Sequence, residues 1–190
     1  MLEVIRGLAF VCVFLQIIDA EAAPIRCGDT IRLTHVATGC NLHSHPLNYS
    51  HTGTSGQQQV TAYCSHDKND SWVVVCEGPL ADGRTLRLQH VQTTKYLHSH
   101  PNHPAPLTSG QQEVTGWGGC GVTDENDPWT LQVAGGGAWD TSRKVRLIHV
   151  ATNVALHSHK DHPLPDLPAQ QEVTGHAGRD DNDWWRATRE

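Results

Sequence analysis

One segment of about 55 residues is written three times in this chain, with its chemistry kept at matching positions. The first copy carries Ile31, Arg32, Leu33 and His35, then Leu42-His43-Ser44-His45, Gln57-Gln58-Gln59-Val60-Thr61, Asn69-Asp70 and Trp72. The second gives Leu86, Arg87, Leu88 and His90, then Leu97-His98-Ser99-His100, Gln111-Gln112-Glu113-Val114-Thr115, Asn126-Asp127 and Trp129. The third gives Val145, Arg146, Leu147 and His149, then Leu156-His157-Ser158-His159, Gln170-Gln171-Glu172-Val173-Thr174, Asn182-Asp183 and Trp185. The fold must therefore be built from three like units. A residue present in all three serves a need that all three share.

Within each copy the apolar residues alternate with a period of two, and turn residues separate the runs, which predicts four short strands per copy. Ile31, Leu33 and His35 share one face of the first strand, while Arg32 and Thr34 share the other. In the second strand Leu42 and Ser44 face one way, and His43 and His45 the other. The turn between these strands passes Gly39 and Asn153, which tolerate positive φ, and Thr94, which does so poorly and predicts a different turn geometry there. Loops rich in His, Pro and Ser follow, over 46–56, 101–110 and 160–169. Three units are too few for a propeller, and an open stack would expose strand edges. The expectation is an all-β protein, a β-trefoil closed by pseudo-threefold symmetry, with copies over about 27–77, 82–134 and 141–187.

Before the first copy, Arg6 precedes an apolar run over 7–18 that is too short to span a bilayer and ends in Ala20-Glu21-Ala22, the small-x-small pattern of a signal peptidase site. Residues 1–22 are thus expected to be a signal peptide and 23–190 the mature domain, with no membrane span. Removal of Glu3, Asp19, Glu21 and Arg6 takes the net charge from −6 to −4, which gives no support to nucleic-acid binding. In an oxidising compartment, the mature cysteines Cys27, Cys40, Cys64, Cys76 and Cys120 are odd in number and cannot all pair. Cys27 and Cys76 flank the first copy, whose ends are neighbours in a closed barrel, and are expected to be bridged; Cys40 and Cys64 form a second candidate pair. Asn48-Tyr49-Ser50 is a glycosylation sequon in a polar loop, making Asn48 a candidate glycan acceptor; Asn69-Asp70-Ser71 is a second sequon.

The combined motifs, an apolar-Arg-Leu-x-His strand, Leu-His-Ser-His, Gln-Gln-x-Val-Thr and Asn-Asp-x-Trp, resemble MIR repeats and the stromal cell-derived factor 2 family in particular. The resemblance spans about 25–187. It implies a soluble trefoil of the endoplasmic reticulum that acts with a luminal BiP-type chaperone and a J-domain cochaperone on misfolded secretory proteins. MIR repeats also occur in protein O-mannosyltransferases as luminal accessory modules, so transferase chemistry is not implied. Family members often end in a His-Asp-Glu-Leu-type retrieval signal, whereas this chain ends Ala187-Thr188-Arg189-Glu190. The expected location is the secretory pathway, either the lumen of the endoplasmic reticulum or the exterior.

The candidate ligand or partner contacts are His43, His45, His98, His100, His157 and His159. Their plainer role is to brace the adjoining loops, as His35, His90 and His149 are expected to point inward and bond backbone. His98, His100, His103 and His157, His159, His162 share an HxHxxH spacing, yet no carboxylate or cysteine recurs with both sets in sequence, so neither metal nor cofactor is expected. The Gln pairs are placed to reach a sugar hydroxyl or a peptide backbone, and polar rungs beside a loop are an equal expectation. Trp72, Trp129 and Trp185 fit core anchors, whereas Trp117, Trp139 and Trp184, if exposed, would suit a binding face. With no GxSxG, P-loop or HExxH motif, a non-enzymatic interaction module is expected; the alternative is lectin-like binding of mannose or other protein-linked glycans.

Overall fold

The computed structural model describes residues 22–165, 167 and 169–190. The expected signal segment, apart from Ala22, lies outside them. Copy one forms β1 (Thr30–His35), β2 (Asn41–Asn48), β3 (Gln58–Tyr63) and β4 (Ser71–Val75). Copy two forms β5 (Thr85–His90), β6 (Tyr96–Pro104), β7 (Gln112–Trp117) and β8 (Trp129–Val133). Copy three forms β9 (Lys144–His149), β10 (Ala155–Pro163), β11 (Gln170–His176) and β12 (Trp185–Arg189). The second strands run on into the predicted loops, with a register shift such as that between Ser44 and Asn48 absorbing the extra residues. No helix among the described residues is long and apolar enough to cross a membrane.

Pairing closes a ring: β1 meets β4, β4 meets β5, β5 meets β8, β8 meets β9, β9 meets β12, and β12 returns to β1. The hairpins β2–β3, β6–β7 and β10–β11 narrow one end, where β3, β7 and β11 pair with one another. The structure corrects the β-trefoil expectation to a closed antiparallel barrel, still all-β. Thr34 pairs with Asn41, Gln89 with Tyr96 and Ile148 with Ala155, so hydrogen bonding continues from ring to hairpins through one twelve-stranded sheet.

The strand parity determines the core. Ile31, Leu33 and His35 are buried, as are Leu86, Leu88 and His90, and Val145, Leu147 and His149. Each such aliphatic side chain contributes roughly 1.5–3 kcal/mol by leaving water. Trp72, Trp129 and Trp185 fill the centre, and their indole N–H groups donate to the carbonyls of Leu42, Leu97 and Leu156. Thr94 does not need a separate turn: at φ 59° it adopts the same left-handed geometry as Gly39 at 75° and Asn153 at 57°. Its N–H bonds the His90 carbonyl at 2.8 Å, which holds the turn against the side chain's own preference. Disulfides join Cys27 to Cys76 and Cys40 to Cys64, while Cys120 is exposed and unpaired among the described residues. The first ties the approach to β1 to the end of β4; the second clamps the base of the β2–β3 hairpin.

Candidate functional site

Two sets of imidazoles are buried, one in the ring and one in the hairpins. In the ring, Nε2 of His35 donates to the carbonyl of Asn182, that of His90 to Asn69 and that of His149 to Asn126, at 2.8–3.0 Å. A carbonyl only accepts, so Nε2 carries the proton and Nδ1 of the neutral ring can accept from Thr38, Thr93 or Thr152. Burial pushes all three pKa values down, that of His90 to about 4, and the carbonyl bond only partly opposes this. Each ring also packs on the tryptophan of the preceding copy: His90 on Trp72, His149 on Trp129 and His35 on Trp185. These histidines join one copy to the next.

In the hairpins the first histidine of each Leu-His-Ser-His meets a carboxylate. Nδ1 of His43 lies 2.9 Å from Asp70 Oδ1, and His98 with Asp127 and His157 with Asp183 repeat that distance. The other carboxylate oxygen accepts from the backbone N–H of Asp67, Asp124 or Asp180, closing the turn before the tryptophan. At Asp70, desolvation alone would raise the pKa, but the hydrogen bonds from His43, Asp67 and His66 outweigh it and hold the carboxyl low. The serines between the histidines face away and donate to the carbonyls of Gln59, Glu113 and Glu172. No Ser-His-Asp relay forms, because serine and carboxylate lie on opposite faces of the strand.

A ring at the end of each third strand covers the His–Asp pair: Tyr63 on His43, Trp117 on His98 and His176 on His157. The second histidine, His45, His100 or His159, lies outside the buried pair and is half-buried; burial lowers the pKa of His45. His100 and His159 stand beside His103 and His162. The six histidines therefore divide into three buried pairs with aspartate and three neighbours nearer the surface. Sequence reasoning missed Asp70, Asp127 and Asp183 as their partners, although the carboxylates recur in each copy. It also missed Tyr63, Trp117 and His176.

The Gln positions serve the junctions among hairpins. Thr61 donates to Gln170, Thr115 to Gln57 and Thr174 to Gln111, a cycle through all three copies. The next acidic positions fix loops: Glu113 accepts from Ser55, and Glu172 from Leu107 N–H and Thr108. Burial pushes the Glu113 carboxyl up, with the Ser55 bonds opposing the shift. Gln59 occupies the corresponding place in the first copy and donates to the Asn48 carbonyl instead. Asn48 itself is exposed. Trp139 is fully buried, while Trp184 lies under Lys144 and Arg146. Among the three tryptophans considered for a binding face, Trp117 packs on the histidine of a His–Asp pair.

The MIR domain family matches residues 75–185. The stromal cell-derived factor 2-like protein of Arabidopsis thaliana is 38% identical over 178 residues, covering 88% of this chain and 80% of that protein. The crystal structure of the SDF2-like protein from Arabidopsis thaliana superposes with a TM-score of 0.81 at 35% identity, over 87% of this chain and 95% of that one. The S. cerevisiae protein O-mannosyltransferase Pmt1-Pmt2 complex bound to the sugar donor contains a matching region with a TM-score of 0.80 at 33% identity. That match covers 89% of this chain and 26% of the transferase chain.

Proposed function

Because the chain belongs to the stromal cell-derived factor 2 family of MIR-domain proteins, we propose that it is a chaperone-associated factor of the secretory pathway, acting in the folding and quality control of misfolded proteins. The protein is non-enzymatic. The observation that carries the reading is the likeness, across nearly the whole described chain, to an SDF2-like protein rather than to an accessory part alone. The expected partners are a BiP-type chaperone, a J-domain cochaperone and unfolded secretory chains, met in the lumen of the endoplasmic reticulum or on the way out of the cell. The repeated interior is occupied by internal hydrogen bonds, which leaves the half-buried His45, His100 and His159 and the unequal loops beside them as the contact surface.

Affinity purification of the tagged protein from a secretory-pathway lysate tests this reading. Recovery of the chaperone together with the cochaperone supports it, and recovery of neither rejects it. Localisation of the full-length protein with its natural C-terminus distinguishes luminal retention from secretion, and a mass shift on deglycosylation, lost in Asn48→Gln, tests glycan attachment at Asn48.

A second reading, lectin-like binding of mannose or another protein-linked glycan, draws support from Trp117. Its half-buried ring packs against His98 beside Asp127, combining an apolar platform with groups that can bond hydroxyls. A silent glycan array with flat mannoside titrations would remove this alternative.

A further inference from the structure

The three hairpin sites have the same His–Asp pair but different covering rings. In the first two the cover is Tyr63 or Trp117; in the third it is His176, a second imidazole. Nδ1 of His157 lies 2.9 Å from Asp183 Oδ1 and 3.7 Å from Asp180 Oδ1, while Nδ1 of His176 is 3.9 Å from Asp183 Oδ1. The four ligand atoms all lie within 4.8 Å of one another. A tetrahedral ion with bonds of about 2.0–2.1 Å separates its ligands by roughly 3.3 Å, so small side-chain adjustments suffice to enclose one.

Two further observations point toward a ligand. His176 Nδ1 is buried and has no hydrogen-bond partner among the described residues, a costly state for a polar atom 3.9 Å from the Asp183 carboxylate. Gly178 supplies the room for that ring: a Cβ there would stand only 2.5 Å from His176 Cε1. We propose that His157, His176, Asp180 and Asp183 form a site for one divalent cation of the zinc class.

Two neutral imidazoles and two carboxylates suit a borderline cation, and the two aspartates balance its charge. The Arg146 guanidinium lies 3.5 Å from Asp183 Oδ2 and bonds the Asp180 carbonyl, on the oxygens that the ion would not use. Asp180 has a side-chain exposure of 46% and opens the site to entering ions. Binding requires both Nδ1 atoms to be unprotonated, so each ring carries its proton on Nε2 and the Nδ1 proton now facing Asp183 is released or moved. This goes beyond the interaction reading and reverses the expectation of no metal, because the fold brings in carboxylates that the HxHxxH spacing does not contain.

The test uses the purified mature protein titrated with zinc by calorimetry and with cobalt(II) by visible absorption. His176→Tyr installs the residue present at Tyr63, and Asp180→Asn keeps a good cap for the turn, so both variants should fold, as circular dichroism will verify. One zinc equivalent and a tetrahedral cobalt spectrum are expected, with affinity falling on the order of 100-fold in either variant and unchanged in His159→Ala/His162→Ala. Absence of the tetrahedral spectrum, unchanged affinity in His176→Tyr or Asp180→Asn, or loss on changing the surface pair would overturn the proposal.

Discussion

His90 and His98 belong to the same copy and are both buried, yet they meet opposite partners. His90 in the ring donates to the Asn69 carbonyl and packs on Trp72, whereas His98 in the hairpin faces the Asp127 carboxylate under Trp117. A carbonyl offers a dipole to a neutral ring; a carboxylate can also stabilise a charged one. The difference separates the regions by role. The ring repeats a neutral, tightly packed joint in every copy, whereas the hairpins repeat a polar pair and vary its cover.

Breaking the ring should produce the largest effect. Trp129→Ala removes a fully buried indole that packs on His149 and donates to Leu97, and is expected to cost about 3–5 kcal/mol in urea unfolding. The next effect comes from acid. Burial depresses the folded-state pKa of His90 from 6.5 to about 4, so stability is complete above the unfolded value and declines as the pH falls between the two. Below about 4 both states are protonated and this loss stops growing. The shift corresponds to about 3 kcal/mol, with His35 and His149 acting in the same direction. Unfolding midpoints at pH 7.5 and 5 should reveal the decline, and His90→Gln should lessen it, leaving the part due to His35 and His149; equal midpoints in the native protein would contradict the assignment of neutral ring histidines.

The ring was the more legible region because its signal is local. Alternation places Ile31, Leu33 and His35 on the buried face, and a period of two does not depend on what the strand meets. The hairpin pairs depend on long-range bending. His98 and Asp127 are 29 residues apart, and only the fold of β6 over the Asn126-Asp127 turn shows that they meet. The HxHxxH spacing drew attention to His98 with His100 and His103, whereas the nearest polar partner lay in another motif. The continuity of ring and hairpins in one sheet was similarly hidden, since the ring-to-hairpin bridges at Thr34, Gln89 and Ile148 leave no mark of their own in the sequence. At Thr94, residue preference favoured one geometry, while the hydrogen-bonded hairpin imposed another.

Changing one partner in the hairpin measures the polar half of the comparison. Asp127→Asn keeps the shape but removes the charge that bonds His98 and the Asp124 N–H, with an expected loss of about 1.5–3 kcal/mol at neutral pH. The effect should be smaller than that of Trp129→Ala, and chemical denaturation of the two variants provides the direct contrast. If the order is reversed, the hairpin pair and not the packed ring is the principal joint.

The smallest effect is expected where the three hairpins meet. Thr115 is buried and donates to Gln57 at 2.6 Å, one link in the cycle that also joins Thr61 to Gln170 and Thr174 to Gln111. Thr115→Val preserves the branched shape and deletes only the hydroxyl. Because Gln57 is partly exposed, water can replace the lost donor, and the cost should be about 1 kcal/mol in urea unfolding. A much larger loss would mean that the cycle acts as a cooperative network; the loss in the Thr115→Val/Thr174→Val double variant would then fall short of the sum of the separate losses, because the first break already forfeits the shared part. Near additivity instead makes each link an independent fastening, with the ring carrying the cooperativity.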